Sequence, residues 1–339
     1  MLYSFKLSIG QVAFTDREIY TNEAIASFLP NDKVSLDYLY YSSSLIINNA
    51  QENIYGAMLL NQDLIRKAVV PIPPLAEQKQ IATYLDARCS KIDGAIAQRK
   101  AIIEKLKEYK SAVITKAVTK GLNPDIEMKD SGIDWIGKVP KHWICTVLKR
   151  YCKFKTGTTP STKEEKWFDG DIQWFTPADC HSMLLTNSER TLTVKAVEDN
   201  NLMLVPRNTV LIVGIGATAG NVGITECESY FNQQMTAMLA NKELIPQYLL
   251  YWIVANSKFL RETAPYTTLP ILNNNTLSYY DLLVPPIVEQ QNIIKYLDSQ
   301  CAKIDEAIAK QEQAVAKLEE YRKSIIYYAV TGKIDCRDI

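Results

Sequence analysis

The chain has 339 residues, of which 47% are apolar and 22% charged, the composition of an ordinary globular protein with room for more than one core. Lys+Arg and Asp+Glu both number 38, so overall charge offers no attraction to nucleic acid or to a membrane surface. Seven scattered cysteines without a C-x-x-C pair, and only His142 and His181 beside them, argue against a disulfide framework or structural zinc and for a reducing compartment.

The opening LYSFKLSIG lacks the basic start and long apolar core of a signal peptide, and no apolar run reaches the length of a membrane span. A cytoplasmic location without a membrane partner is expected. Residues 1–74 precede a long helix, which the entry signal Pro73-Pro74 and the stop signals Gly121, Asn123 and Pro124 bound to 75–120. Its apolar residues Ile81, Leu85, Ile92, Ile96, Ile103, Leu106, Val113 and Ala117 recur at steps of three, four or seven, one stripe on a helix of roughly 60 Å.

Residues 121–134 read as a linker. Within it, PDIEMK places Asp125 and Glu127 only two residues apart, whereas a metal-dependent nuclease needs carboxylates converging from separate strands. Residues 135–286 then change texture. Short β-type runs such as TVLIVGIG (Thr209–Gly216) alternate with turn-rich TGTTPST and LNNNT, as in a mixed α/β domain. The glycines of VGIGATAGNVG do not fit the dinucleotide spacing and are followed by strand-like NVGIT, which predicts a turn or hairpin. Trp135, Trp143, Trp167 and Trp174 are expected in the domain core. No strand-end NPPY/F segment, methyl-donor pocket or nuclease motif is found, so no catalytic residue is assigned.

A second long helix over 287–331 repeats the stripe at Ile293, Leu297, Ile304, Ile308, Val315, Leu318, Ile325 and Ala329, and leaves a tail at 332–339. Laid on 285–331 at an offset of 212, residues 73–119 show 23 identities in 47 positions, which is duplication. Glu77-Gln78 and Glu289-Gln290 recur at the helix starts, where an acid is favourable, and predict a shared structural joint. A weaker repeat at offset 210 matches Gly10-x-Val12 with Gly220-x-Val222, Thr15 with Thr225, Tyr20-x-Asn22 with Tyr230-x-Asn232 and Tyr38-Leu39 with Tyr248-Leu249. Met1 then falls on Leu211, so the first copy has no counterpart of roughly 132–210. The two stripes most simply pack on each other, although periodicity alone equally allows a homodimer or a stalk.

Several segments, in this order and with the terminal part duplicated, resemble the specificity subunit of a type I restriction–modification system. They are SGIDWIGKVPKHW (Ser131–Trp143), TGTTPST, GDIQWFTPAD (Gly170–Asp179), FNQQ (Phe231–Gln234) and PPxxEQ before each long helix. The resemblance covers essentially the whole chain and implies an α+β fold: α/β target-recognition domains linked by two long antiparallel coiled-coil helices. It assigns 1–74 to a partial first target-recognition domain, 75–120 to the first spacer helix, 135–286 to a complete second domain and 287–331 to the second spacer helix. Each domain would read one half of a bipartite double-stranded DNA target, the helices being long enough to hold two readers about one duplex turn, ~34 Å, apart. The implied partners are DNA, type I methyltransferase (modification) subunits and the restriction/translocase subunit. No metal or cofactor is expected in this chain, the methyl donor, ATP and Mg belonging to those partners.

Only one WIGKVPKHW is present, so the expected chain is truncated in its first domain: a truncated or split gene completed by a complementary specificity fragment or by self-pairing, a silent cassette, or a mis-assigned start. A coiled-coil assembly protein that reads no DNA is the competing interpretation. A self-sufficient restriction enzyme is disfavoured by the missing motifs. For DNA contact, KRYCKFKTGTTPSTK offers Lys153, Lys155 and Lys163 for phosphates beside Thr158, Thr159 and Ser161, though a solvated charged surface explains the run equally well. NQQ (Asn232–Gln234) and NNN (Asn273–Asn275) carry amides suited to an adenine edge, with Gln233, Gln234 and Asn274 taken as candidates. Thr218 and Asn221 in the glycine-rich turn, and Tyr266, Thr267 and Thr268 in a later loop, complete the candidate set. Asn232 recurs at Asn22, which points to a structural role.

Overall fold

The structure, a computed structural model, describes residues 1–6, 8–52, 58–263 and 271–336. Strands β1 (Leu2–Ser4), β2 (Val12–Ala13) and β3 (Ile25–Ser27) precede α1 (Leu36–Ser42). The paired β4 (Gln51–Glu52) and β5 (Met58–Leu59) and the short α2 (Gln62–Arg66) lead into α3 (Leu75–Lys120). Next come β6 (Met128–Asp130), β7 (Lys138–Pro140), β8 (Ile144–Val147), β9 (Cys152–Thr156) and β10 (Phe168–Phe175). They are followed by β11 (Leu184–Leu185), β12 (Thr191–Leu192), α4 (Val194–Asp199), β13 (Leu204–Val205) and β14 (Val210–Val213). Strands β15 (Val222–Thr225), β16 (Ser229–Phe231) and β17 (Met235–Ala240) continue the chain. It closes with α5 (Pro246–Thr263), α6 (Asn274–Ser278), β18 (Asp281–Val284) and α7 (Ile287–Val330).

Two compact units result: residues 1–105 with 307–339, and residues 106–306. Each long helix therefore passes from one unit into the other, and within each unit α3 and α7 pack antiparallel. In the first unit Ile81, Leu85, Ile92 and Ile96 share a core with Val315, Ile325, Ile326 and Ala329. In the second, Ile114, Ala117 and Val118 share one with Ile293, Leu297 and Cys301. The stripe is thus used within the chain: Ile81, Leu85, Ile92, Ile96, Ile103, Ile293, Leu297, Ile304 and Val315 are buried, and Leu106, Ile308 and Leu318 are half-buried. One ion pair is written twice with roles exchanged. Arg322 of α7 meets Asp93 of α3 at 2.8 Å, and Lys110 of α3 meets Asp305 of α7 at 2.7 Å. Such an exchange at the 212-residue offset is what a duplicated helix produces when it packs on its own copy.

The second unit holds a five-stranded sheet of order β11-β15-β14-β17-β9 and a four-stranded sheet of order β12-β10-β16-β13. Val210–Val213 of β14 is buried throughout, because both faces of the central strand are covered. Val210 and Ile212 face a core shared with α5 and the ends of the long helices. Leu211 and Val213 face Phe175 and Phe231 of the other sheet. The predicted turn after TVLIVGIG is the connection of an antiparallel hairpin, Ile212 pairing with Val222. In the first unit β2-β1-β3 form an antiparallel sheet over Tyr3, Phe5, Ile46 and Leu60, matching β15-β14-β17 at offset 210. Trp143, Trp167 and Trp174 are buried and Trp135 half-buried.

The segment 121–134, expected as a linker, instead carries β6, which pairs with β7 so that Met128 faces Pro140 and Asp130 faces Lys138. Gly132 and Gly137 adopt positive φ in the turn that joins the two strands, a conformation glycine reaches without steric cost. Asp125 and Glu127 are exposed, and Glu127 pairs with Lys141 at 2.7 Å.

At each helix start a fully buried glutamine makes the joint. Gln78 Oε1 accepts from Ser35 N (2.8 Å), and its Nε2 donates to Lys33 O (2.9 Å) and Pro73 O (2.8 Å). Gln290 does the same with Ile245 N (2.8 Å), Glu243 O (3.0 Å) and Pro285 O (2.9 Å). Tyrosines add a second tie. Tyr38 Oη donates to Pro71 O and Val330 O, and Tyr248 Oη to Leu283 O and Val118 O.

All seven cysteines are free, and among them Cys227 is exposed. Burial pushes the Cys152 and Cys180 thiols up to about 12. Among the described residues no helix is long and apolar enough to cross a membrane, and no group of three or more His, Cys, Asp or Glu could hold a metal ion.

Two outcomes follow from this packing. Replacing Gln290 by Ala leaves three backbone groups without the partner it supplies and lowers the unfolding free energy in urea by about 1–3 kcal/mol. Gln290→Glu costs at least as much, because a carboxylate then faces two carbonyl oxygens. In a native-state assay with a thiol reagent at pH 8, Cys227 is modified first and Cys152 and Cys180 react only on unfolding, since the thiolate is the nucleophile.

Candidate nucleic-acid interface

Hydrogen-bonding residues of the second unit converge on one cleft of about 360 Å³. Thr156, Gly214, Gln233, Gln234, Thr236 and Asn273–Asn275 line it, with Ile215, Ile271 and Leu272. Three strand ends and one helix start build it. Thr156 at the end of β9 lies directly opposite Thr236 of β17. Asn273 caps α6, its Oδ1 accepting from Thr276 N at 2.9 Å, which leads α6 away from the cleft. Gly214 forms the floor: its N–H donates to Gln234 O and its carbonyl accepts from Leu272 N, both at 2.7 Å. A Cβ there would lie 3.0 Å from Leu272 O, so close backbone approach, not phosphate cradling, accounts for this glycine.

The candidate residues divide into spent and unspent groups. Asn274 is half-buried and spent: Thr236 Oγ1 donates to its Oδ1 (2.9 Å), and its Nδ2 donates to Thr156 Oγ1 (3.0 Å). It ties two neighbouring strands to α6. Thr158 is also structural, its hydroxyl accepting from Met203 N (2.9 Å) and its carbonyl from Trp174 Nε1 (3.1 Å). Asn221 donates to Cys180 O and accepts from Arg261, which holds the hairpin loop in place. Asn232 forms a turn in which Gln234 N donates to its Oδ1 (3.1 Å), the arrangement that Asn22 makes with Ala24 N (3.1 Å). Its recurrence is therefore one of backbone geometry.

Gln233 and Gln234 are exposed. Their Oε1 atoms accept from Thr159 Oγ1 and Asn232 Nδ2 respectively, which fixes the side chains and leaves both Nε2 groups without a partner among the described residues. The amide of Asn275 is exposed and likewise unspent. Every side chain lining the cleft is uncharged, so the cleft is built for directional hydrogen bonds rather than for phosphate attraction. The charge lies next to it. Lys153 and Lys155 alternate on the exposed face of β9 while Cys152 and Phe154 point into the core, and Ser161 and Lys163 are exposed in the following loop. Thr218 is exposed on the hairpin loop. Tyr266, Thr267 and Thr268 lie outside the described residues.

Sequence reading missed Thr156 and Thr236. Nothing in one-dimensional order relates Thr156 to residues 80 positions away; the sheet register does. The glycine of TGTTPST has a plain reason: a Cβ on Gly157 would overlap the carbonyl oxygens of Phe231 and Asn232. A larger concavity, about 440 Å³, lies along the helices between Tyr109, Ala112, Val113, Lys116, Leu122 and Tyr296. Its lining includes the charged Lys116 and carries no side-chain amide.

Comparison with known proteins adds the remaining information. Residues 1–108 and 140–317 match the family described as type I restriction modification DNA specificity domain. The chain is 31% identical over 167 residues to the type I restriction enzyme MjaIX specificity subunit of Methanocaldococcus jannaschii, covering 48% of this chain and 38% of that protein. It is 24% identical over 316 residues to the putative MjaX specificity subunit of the same organism, covering 87% and 68%. It is 23% identical over 283 residues to the EcoR124I/EcoR124II specificity subunit of Escherichia coli, covering 79% and 64%. The matches thus span between 38% and 68% of these relatives' length. A solved chain from work on complex assembly and conformational transition of the type I R-M system shares the fold, with TM-score 0.68, 16% identity and coverage of 87% of this chain and 70% of that one. With the duplicated helices, the paired sheets and two family matches that together take in most of its length, the chain belongs to the type I restriction modification DNA specificity domain family.

Proposed function

We propose that this chain is a non-catalytic DNA-sequence reader that directs the methyltransferase subunits, and with them the restriction subunit, of a type I system. The observation that supports it best is the separation of two chemistries in the second unit. An uncharged cleft presents the unspent Nε2 groups of Gln233 and Gln234 and the amide of Asn275, and an adjoining strand presents Lys153 and Lys155. Phosphate contacts position a protein on the duplex, and directional hydrogen bonds to base edges carry the sequence information. Amide side chains match the donor–acceptor pair on the major-groove edge of adenine. The long helices fit a spacer between two reading units, and their exposed faces fit a platform for partners. The chemistry of methyl transfer and of cleavage, with methyl donor, ATP and Mg, belongs to those partners. Where the protein works is then the compartment that holds the DNA, the cytoplasm.

The test is affinity selection from a pool of random duplexes by the chain together with its methyltransferase subunits. Enrichment of a defined sequence is expected; recovery of an unenriched pool overturns the proposal. Lys153→Ala and Lys155→Ala are expected to weaken binding evenly across sequences, each reducing the slope of log affinity against log salt by about 1. Gln234→Ala and Asn275→Ala should leave that slope unchanged and lower the preference for the selected sequence by about 1–3 kcal/mol per lost base contact.

A further inference from the structure

Four exposed amides line the cleft of the second unit, Gln233, Gln234, Asn273 and Asn275. Three of them have committed their oxygens to the protein itself, and those bonds decide which way each amide faces. Asn273 Oδ1 accepts from Thr276 N (2.9 Å) and from Thr276 Oγ1 (3.2 Å), so its Nδ2 is the half left over. Gln234 is oriented in two steps. A backbone N–H can only donate, so the bond from Gln234 N (3.1 Å) assigns the Asn232 oxygen to that side and Nδ2 to the other. Asn232 Nδ2 then donates to Gln234 Oε1 at 3.1 Å, which turns the Gln234 NH2 group outward. The anchor is firm: Asn232 is 7% exposed, and its N–H donates to Phe175 O at 2.9 Å. Gln233 is held in the same sense, Thr159 Oγ1 donating to its Oε1.

The turn itself does not require a glutamine. In the first unit Asn22 Oδ1 accepts from Ala24 N at 3.1 Å, the same turn with alanine where Gln234 stands. The side chain at 234 is therefore surplus to the fold, and what it exposes is an uncharged donor. An intact amide suits adenine because it offers one donor and one acceptor. Asn275, unspent among the described residues, is of that kind. An NH2 group alone meets the N6 amino group of adenine, or N4 of cytosine, donor against donor. Guanine presents two adjacent acceptors, N7 and O6, whereas thymine presents O4 beside a methyl group. The two hydrogens of one NH2 group match the guanine pair.

We propose that Gln234 is a specificity-determining residue for guanine, its Nε2 donating to N7 and O6 on the major-groove edge. Asn232 is its positioning residue, because the Asn232 amide excludes the reversed orientation. This inference rests on the reading of the cleft as a base-recognition site and narrows the base that the site takes.

The test compares the wild-type chain with Gln234→Ala and Gln234→Glu, each in complex with its methyltransferase subunits, on one pool of random duplexes. The wild-type complex is expected to enrich a sequence containing a guanine that Gln234→Ala no longer demands. Because alanine occupies the equivalent turn of the first unit, this variant is expected to fold. In Gln234→Glu one carboxylate oxygen still accepts from Asn232 and the other faces outward as an acceptor. Preference at that position is then expected to swing to cytosine, whose N4 group donates. With the wild-type complex, 7-deazaguanine at the same position removes the N7 acceptor and is expected to weaken binding at least about 5-fold. Inosine, which lacks only the minor-groove amino group, is expected to bind as guanine does. Guanines indifferent to both substitutions, a changed preference at adenine instead, or an even loss of binding across all sequences would overturn the guanine assignment and leave the DNA reader standing. An unenriched wild-type pool would overturn the reader, and the assignment with it.

Discussion

A fully buried glutamine in the first turn of each long helix determines where that helix leaves its globular domain. Gln78 and Gln290 each satisfy one backbone donor and two backbone carbonyls, so the helix cannot rotate without leaving buried polar groups unpaired. From that fixed departure the stripe Ile81, Leu85, Ile92, Ile96 meets the far end of α7, and Ile293, Leu297 meets the far end of α3. The tyrosine ties repeat the constraint: each of Tyr38 and Tyr248 bonds to the segment before its own helix and to the last turn of the other. One side-chain arrangement, duplicated, thereby holds both helix starts and both helix ends.

That duplication is why so much of the architecture was legible in one sequence. The long helices and their packing stripe follow from a period that any helix obeys, and the repeat offset identifies which residues share a role. Asn22 and Asn232 were marked as structural by recurrence alone, and both make the same turn. The hairpin at Gly214–Gly220 followed from strand-like residues on both sides. What the sequence concealed was long-range register. Met128–Asp130 looked like linker because its strand partner is too short to announce itself. Thr158 and Asn274 looked free to touch DNA because their chain neighbours are polar, yet both are consumed by distant backbone or hydroxyl groups. Conversely, Thr156 and Thr236 reach the cleft only through their pairing across β9 and β17. At the helix joint the Glu-Gln pair recurred in sequence, but only the structure shows that each glutamine bonds three backbone groups and that Glu289 accepts from Trp143 and His142.

On the proposed reading, neutral and charged residues divide a recognition task at the cleft. A zero net charge leaves no broad positive field, so any DNA contact must come from local placement: lysines on one face of an edge strand, amides in an adjoining concavity. Gln233 and Gln234 are held by their oxygens and left free at their nitrogens, an orientation that favours acceptors on a bound edge. This arrangement asks little of overall affinity and much of geometry, which suits a reader that works as one part of a larger assembly.

The most direct measurement is genome-wide mapping of methylated bases in the host with and without this gene. If the chain directs methylation, a defined motif loses its methylation in the deletion and regains it on complementation, and complementation with Gln234→Ala restores it less completely. A gapped, two-part motif would mean that both units read DNA. An identical methylation map with and without the gene would contradict the account.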